Sequence, residues 1–234
     1  MTGKRRFYRE ATADPVEGGY RICLDGRPVR TPAKARFQVP DLAIAQAIAA
    51  EWAAQGDEID PASMPLTQLA NTAIDRVGPQ RQAVIDSVAA YAQTDLLCHW
   101  AERPAALVAR QQAAWQPLLD WAAADLDAPL RATAGILPVA QPEAAIAALR
   151  ARIAGFDDLQ LAGIAQAVGL LGSLVLALAL ARGRIDAEAA FAAAHLDEIH
   201  QLETWGEDDE ARDRLDRRRA EIGVAGRFFA MLER

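Results

Sequence analysis

The spacing of apolar residues changes period once along this chain, and the change separates a short first part from a long second one. Tyr20, Ile22 and Leu24 alternate with Arg21 and Cys23, the period of two that predicts a strand with one buried face. Asp25-Gly26 supplies a two-residue turn, and Arg27 to Thr31 returns as the partner strand. Phe37 to Val39 predicts one more short strand. Pro40 and Asp41 then open a helix that runs to Gln55, carries Ile48 and Trp52 on its apolar face and stops at Gly56. Asp57 to Pro65 is polar and holds two prolines, so it reads as an exposed connection and a domain boundary.

Beyond that boundary the spacing is helical. Leu66 to Val77, Gln80 to about Gln93, Ala105 to Leu126, Pro142 to Gly155, Asp158 to Arg182, Ala187 to Trp205 and Asp208 to Leu232 read as successive helices. Pro117 is expected to kink the third, and Leu130 to Thr133 offers a short β return. The expected fold class is α+β, with a β-rich N-terminal domain over 1–60 and a helical domain over 61–234 built around a long central helix, 158–182.

That central segment decides one question of class. From Leu159 to Ala181 no side chain ionises, a length that spans a bilayer in principle. Gln160, Gln166, Ser173 and three glycines dilute it, and a transmembrane helix is the minor alternative. Leu161, Ile164, Val168, Leu171, Val175 and Leu178 form a bulky stripe. Ala165, Gly169, Ser173 and Ala177 form a small-residue stripe, which predicts a side of close helix approach in a soluble core.

Composition narrows the partners. A chain of 234 residues that is 52% apolar can bury a real core. Its formal net charge of −7, with only Lys4 and Lys34 as lysines, argues against nucleic acid as a partner. Cys23 and Cys98 are too few and too far apart for a zinc site or a disulfide framework, which suits a reducing compartment. Lys4, Arg5 and Arg6 are followed by no apolar run, so no export signal is expected and the cytoplasm is the expected location.

Candidate chemistry is sparse. Neither lysine stands in a phosphate-binding loop and no G-x-G-x-x-G follows a strand, so no nucleotide, cofactor or small-molecule substrate is expected. His195 and His200 are five apart, about 140° around a helix, and share no face for an ion. Asp95 and His99 are four apart and meet if Thr94 to Trp100 is helical; with Asp75 from another helix they make a metal-assisted hydrolase the alternative function. Capping by Asp95 at a helix end is the simpler account. The richest segment is His195 to Glu210, where acids and amides surround a Trp-Gly break, a composition suited to docking. Leu196, Ile199 and Leu202 form its inward stripe. The run Glu207 to Glu210 falls where a helix N-terminus favours negative charge.

Several segments together resemble one family. They are Gly26-Arg27-Pro28-Val29-Arg30-Thr31-Pro32, Pro65 to Asp75 (PLTQLANTAID), Tyr91 with Thr94 to Cys98, Gln111 to Trp121 (QQAAWQPLLDW) and Trp205 to Asp208. The chain resembles the ATP synthase F₁-sector assembly chaperones, specifically the one that serves the α subunit. The resemblance implies an ATP-independent chaperone, not an enzyme, that covers the β-facing surface of the unassembled α subunit. It implies a bacterial cytoplasmic setting, or the mitochondrial matrix in a eukaryote. It points to Asp197, Glu198, Gln201, Trp205, Gly206, Glu207 and Asp208 as client-binding, and to Asn71, Asp75, Thr94 and Asp95 as either client-binding or structural.

Overall fold

In the computed structural model, which describes residues 4–135, 139–206 and 209–232, the period-two segment forms an antiparallel sheet. Strand β1 (Lys4–Arg5) lies apart from it. The sheet consists of β2 (Ala11–Val16), β3 (Gly19–Leu24), β4 (Arg27–Pro28) and β5 (Gln38–Val39), with β2 on one side of β3 and β4 and β5 in succession on the other. Asp25 and Gly26 both take positive φ, 47° and 74°, the geometry of the tight turn that the Asp-Gly pair predicts. Strand β2, which the spacing did not single out, contains Pro15. Pro15 is tolerated because β2 is an edge strand and needs no second ladder of donors.

Helix α1 (Leu42–Ala53) follows, its first turn capped by Asp41, which accepts from the backbone N–H of Ala43 and Ile44. The polar connection after it is ordered: β6 (Glu58–Ile59) pairs with β1. Helix α2 (Pro65–Thr72) has no cap of its own, and Glu51 of α1 serves instead, accepting from Leu66 N at 2.7 Å and Thr67 N at 2.8 Å. A wide π turn, Ala73–Val77, extends α2. Helix α3 (Arg81–Ala90), a short strand β7 (His99–Trp100) and α4 (Ala105–Asp125) come next, and α4 continues through Pro117. Strand β8 (Thr133–Ala134) pairs in parallel with β7, so the β return expected over Leu130 to Thr133 is met only at its last residue. Helix α5 is Glu143–Ala154.

The long central helix does not form. It is divided into α6 (Asp158–Leu171) and α7 (Leu174–Ala181) by Gly172, which adopts the left-handed conformation at φ 64°, and by Ser173, whose hydroxyl caps the N–H of Leu176. The membrane alternative falls with it, since no helix among the described residues is long and apolar enough to cross a bilayer. The next segment is also divided, into α8 (Ala187–Ala194) and α9 (Leu196–Trp205), and α10 (Asp209–Leu232) closes the described chain. One core runs from Ile22, Phe37 and Val39 through Ile44 and Ile48 into Leu161, Ile164, Leu176 and Phe228. A second cluster, Tyr8, Leu24, Ile59 and Met64, lies under β1 and β6.

Close helix approach occurs, but at a glycine outside the small-residue stripe. Gly169 faces open space, whereas a Cβ at Gly163 of α6 would stand 2.4 Å from Cε1 of Phe228 on α10. Gly163→Ala is therefore expected to cost about 1–3 kcal/mol through overpacking, seen as a lower urea midpoint with unchanged slope.

Candidate functional site

Helix α9 is short and would not persist alone, so its position depends on what holds it. Its inward stripe is as expected: Leu196 is buried, and Ile199 and Leu202 are half-buried against the core. Three polar links then fasten it sideways. Gln111 of α4, itself fully buried, donates from Nε2 to Asp197 Oδ1 at 2.7 Å and accepts the N–H of Ala101 at 2.7 Å. Arg110 pairs with Glu203 and lies 3.4 Å from Nδ1 of His200. Arg214 of α10 reaches Glu198 at 3.4 Å.

The arginines of α10 therefore do more than cover a solvated face. Arg219 pairs with Glu188 of α8 at 3.0 Å and lies over the Phe191 ring. At the α8–α9 joint, burial pushes the His195 imidazole below its ordinary pKa, while Glu198, 3.8 Å away, opposes the shift. His195 is thus a joint residue, packed on Phe191.

The outer side and the far end of α9 are exposed. Gln201 is exposed, and Trp205 is 81% exposed, the most exposed of the large apolar side chains among the described residues. Gly206 ends the helix at φ 98°, its N–H donating to Leu202 O, so the chain leaves in a direction that a residue with a Cβ rarely takes. The predicted set thereby separates: Asp197 and Glu198 hold α9 in place, Gln201 and Trp205 face outward, and Gly206 turns the chain. Glu207 and Asp208 lie outside the described residues. Between α4, α8 and the start of α9 runs an apolar groove of about 700 Å³, lined by Ala113, Pro117, Ile185, Ala192, Leu196 and Ile199.

Gln111 was legible only as part of a motif, because nothing in sequence spacing pairs residue 111 with 197. Gln111→Leu leaves the N–H of Ala101 and the Asp197 carboxylate without that partner. It is expected to lower stability by about 1–3 kcal/mol, with faster amide exchange along α9.

The other four candidates lie elsewhere. Asp75, on the π turn, accepts the Thr31 hydroxyl at 2.6 Å and the Ala33 N–H at 3.0 Å, tying α2 to the hairpin. Asp95 is fully buried: it accepts from Leu97 N and Val175 N, each at 3.1 Å, and burial holds its carboxyl above the usual range. Thr94 is exposed, and Asn71 has a buried Oδ1 with no hydrogen-bond partner among the described residues.

The sequence pattern of the ATP12 chaperone protein family matches residues 5–123, which contain the hairpin, Asp75, Asp95 and Gln111. That is more than half of the chain. The chain belongs to the ATP12 chaperone family.

The crystal structure of Atp12 from Paracoccus denitrificans superposes with a TM-score of 0.93 at 45% identity, covering 97% of this chain and 98% of that one. A point mutant of the same Paracoccus protein matches equally well, at 44% identity. A putative chaperone from Agrobacterium tumefaciens has a TM-score of 0.91 at 41% identity, over 98% of this chain and 85% of the other. The mitochondrial protein atp12 of Schizosaccharomyces pombe is 24% identical over 221 residues, covering 89% of this chain and 76% of its own. This ATP12-family chain thus belongs among the chaperones of F₁ ATP synthase assembly.

Within that family fold the metal-site alternative fails on geometry. Residues 94–100 are not helical: Asp95 caps a 3₁₀ turn, Leu96–Cys98, and His99 lies in β7. Asp75 and Asp95 are each engaged by backbone and hydroxyl donors, and no cluster of three potential ligands occurs among the described residues. Burial pushes the Cys98 thiol up to about 12, which disfavours the thiolate.

Proposed function

We propose that this chaperone binds the unassembled α subunit of the F₁ sector, without using ATP and without catalysis, and covers its β-facing surface until the catalytic head assembles. The observation that carries the surface assignment is Trp205, a large aromatic held 81% exposed at the end of a helix fastened by Gln111, Arg110 and Arg214. Tryptophan is the side chain over-represented at the energetic centres of protein interfaces, and a rigid mounting limits the entropy lost on binding. Gln201, Gly206 and the acids Glu207 and Asp208 surround it in sequence, supplying a polar rim that keeps the contact reversible. Asp197 and Glu198 enter as positioning residues. Asn71 and Thr94 are assigned to the scaffold, together with Asp75 and Asp95.

The proposed setting is the bacterial cytoplasm, or the mitochondrial matrix in a eukaryote; a mitochondrial relative supports the second. Pull-down of the tagged chain from its host at low salt tests the partner. Recovery of α without β is expected; recovery of assembled synthase, or of no synthase subunit, contradicts the assignment.

A further inference from the structure

A second surface lies on the N-terminal sheet, far along the sequence from α9. Arg30 and Arg36 face each other across an isolated antiparallel bridge, so two like charges are held directly opposite, an arrangement that costs stability. Both are exposed, and neither has an ion-pair or hydrogen-bond partner for its guanidinium among the described residues. Arg21 joins them in lining one cleft of about 410 Å³, and its tie to Asp14 is long, 3.8 Å. Glu17 at the lip pairs with none of the three within 4.0 Å. The protein as a whole is negative, so a cleft lined by three guanidinium groups and one carboxylate runs against its overall charge.

The arrangement is built. Residues 31–35 form a tight turn in which Thr31 O accepts Lys34 N at 2.8 Å and Thr31 Oγ1 accepts Ala35 N at 3.0 Å, with Lys34 at φ 65°. Asp75 then anchors that turn from α2 through Thr31 and Ala33. A half-buried carboxylate on the π turn after α2 thus holds the turn that sets Arg30 and Arg36 in opposition.

We propose that this cleft binds a carboxylate-bearing segment of the client polypeptide, with Arg30 and Arg36 as its two anchors. Guanidinium groups accept carboxylates through paired N–H donors, and the ligand's charge relieves the repulsion across the bridge. The overall charge of −7 disfavours a polyanion such as nucleic acid, whereas a short acidic segment brings little charge beyond the cleft. The inference rests on the chaperone assignment only for the origin of the segment.

The test is titration of the full chain with acetyl-Glu-Val-Glu-amide, followed by the NMR shifts of arginine Nε–H groups. The matched Gln-Val-Gln peptide and inorganic phosphate serve as separate arms. The acidic peptide is expected to shift Arg30 and Arg36, and to bind about tenfold more weakly to Arg30→Gln/Arg36→Gln. The unliganded double variant is expected to melt higher than the parent, because the opposed charges are gone. Equal binding of the glutamine peptide, equal or tighter binding of phosphate, or absence of shifts overturns the proposal. So does a lower melting temperature, which would mean that the arginines serve the fold. No client is present, so a failed titration leaves the α-subunit assignment standing, and a failed pull-down leaves the titration standing.

Discussion

Asp95→Ala is expected to be the most damaging single substitution in the scaffold. The carboxylate enters the break between α6 and α7, where it accepts N–H groups from Leu97 and Val175, while Leu96 N donates to Gly172 O. The first turn of a helix has no internal partner for these donors, and at this depth water cannot replace the carboxylate. Removing it leaves at least two buried donors unsatisfied, which costs about 3–5 kcal/mol and lowers the melting temperature by roughly 10 °C. Asp95→Asn retains one acceptor but turns an amide donor toward a backbone donor, and is expected to recover only part of the loss.

The pH dependence has a definite sign. Burial raises the folded-state pKa of Asp95 above its unfolded value, so the folded chain holds this proton to higher pH. The contribution is fully present below the unfolded value and is lost as pH rises through the folded one. The stability gap between the parent and Asp95→Asn is therefore expected to widen as pH falls. Urea midpoints measured across the acid range check it, and a narrowing gap would contradict the burial argument.

Trp205→Ala is expected to leave the fold nearly unchanged and to weaken client binding by about 2 kcal/mol, roughly thirtyfold. The side chain is 81% exposed, so little packing is lost in the free protein. The expected result is an unaltered melting temperature together with a raised dissociation constant for the isolated α subunit. Gln111→Leu makes a useful contrast. It is expected to lower both stability and affinity, because it frees the helix that presents the tryptophan.

The hairpin, α1, the helical second part and the inward stripe of α9 were legible in the sequence, because each rests on local spacing. The Asp-Gly turn and the Leu196, Ile199 and Leu202 stripe needed no tertiary information. The break at Gly172-Ser173 was present as a glycine followed by a serine cap, but the uninterrupted apolar run over 159–181 masked it. What stabilises the break is Asp95, nearly eighty residues earlier, and no spacing rule reaches that far. The same holds for Gln111 with Asp197 and for Asp75 with Thr31. The motifs that carry the family resemblance are in large part these long-range polar ties. Those motifs therefore serve the fold, and on α9 it is Gln201 and Trp205 that face outward.

The most direct test of the central claim is titration of the purified α subunit with the chain by isothermal calorimetry, repeated after addition of β. The account predicts a one-to-one complex with free α, loss of α aggregation by light scattering, and release of the chain when β binds. Binding that persists undiminished on the assembled α–β pair, or no binding to free α, would contradict it.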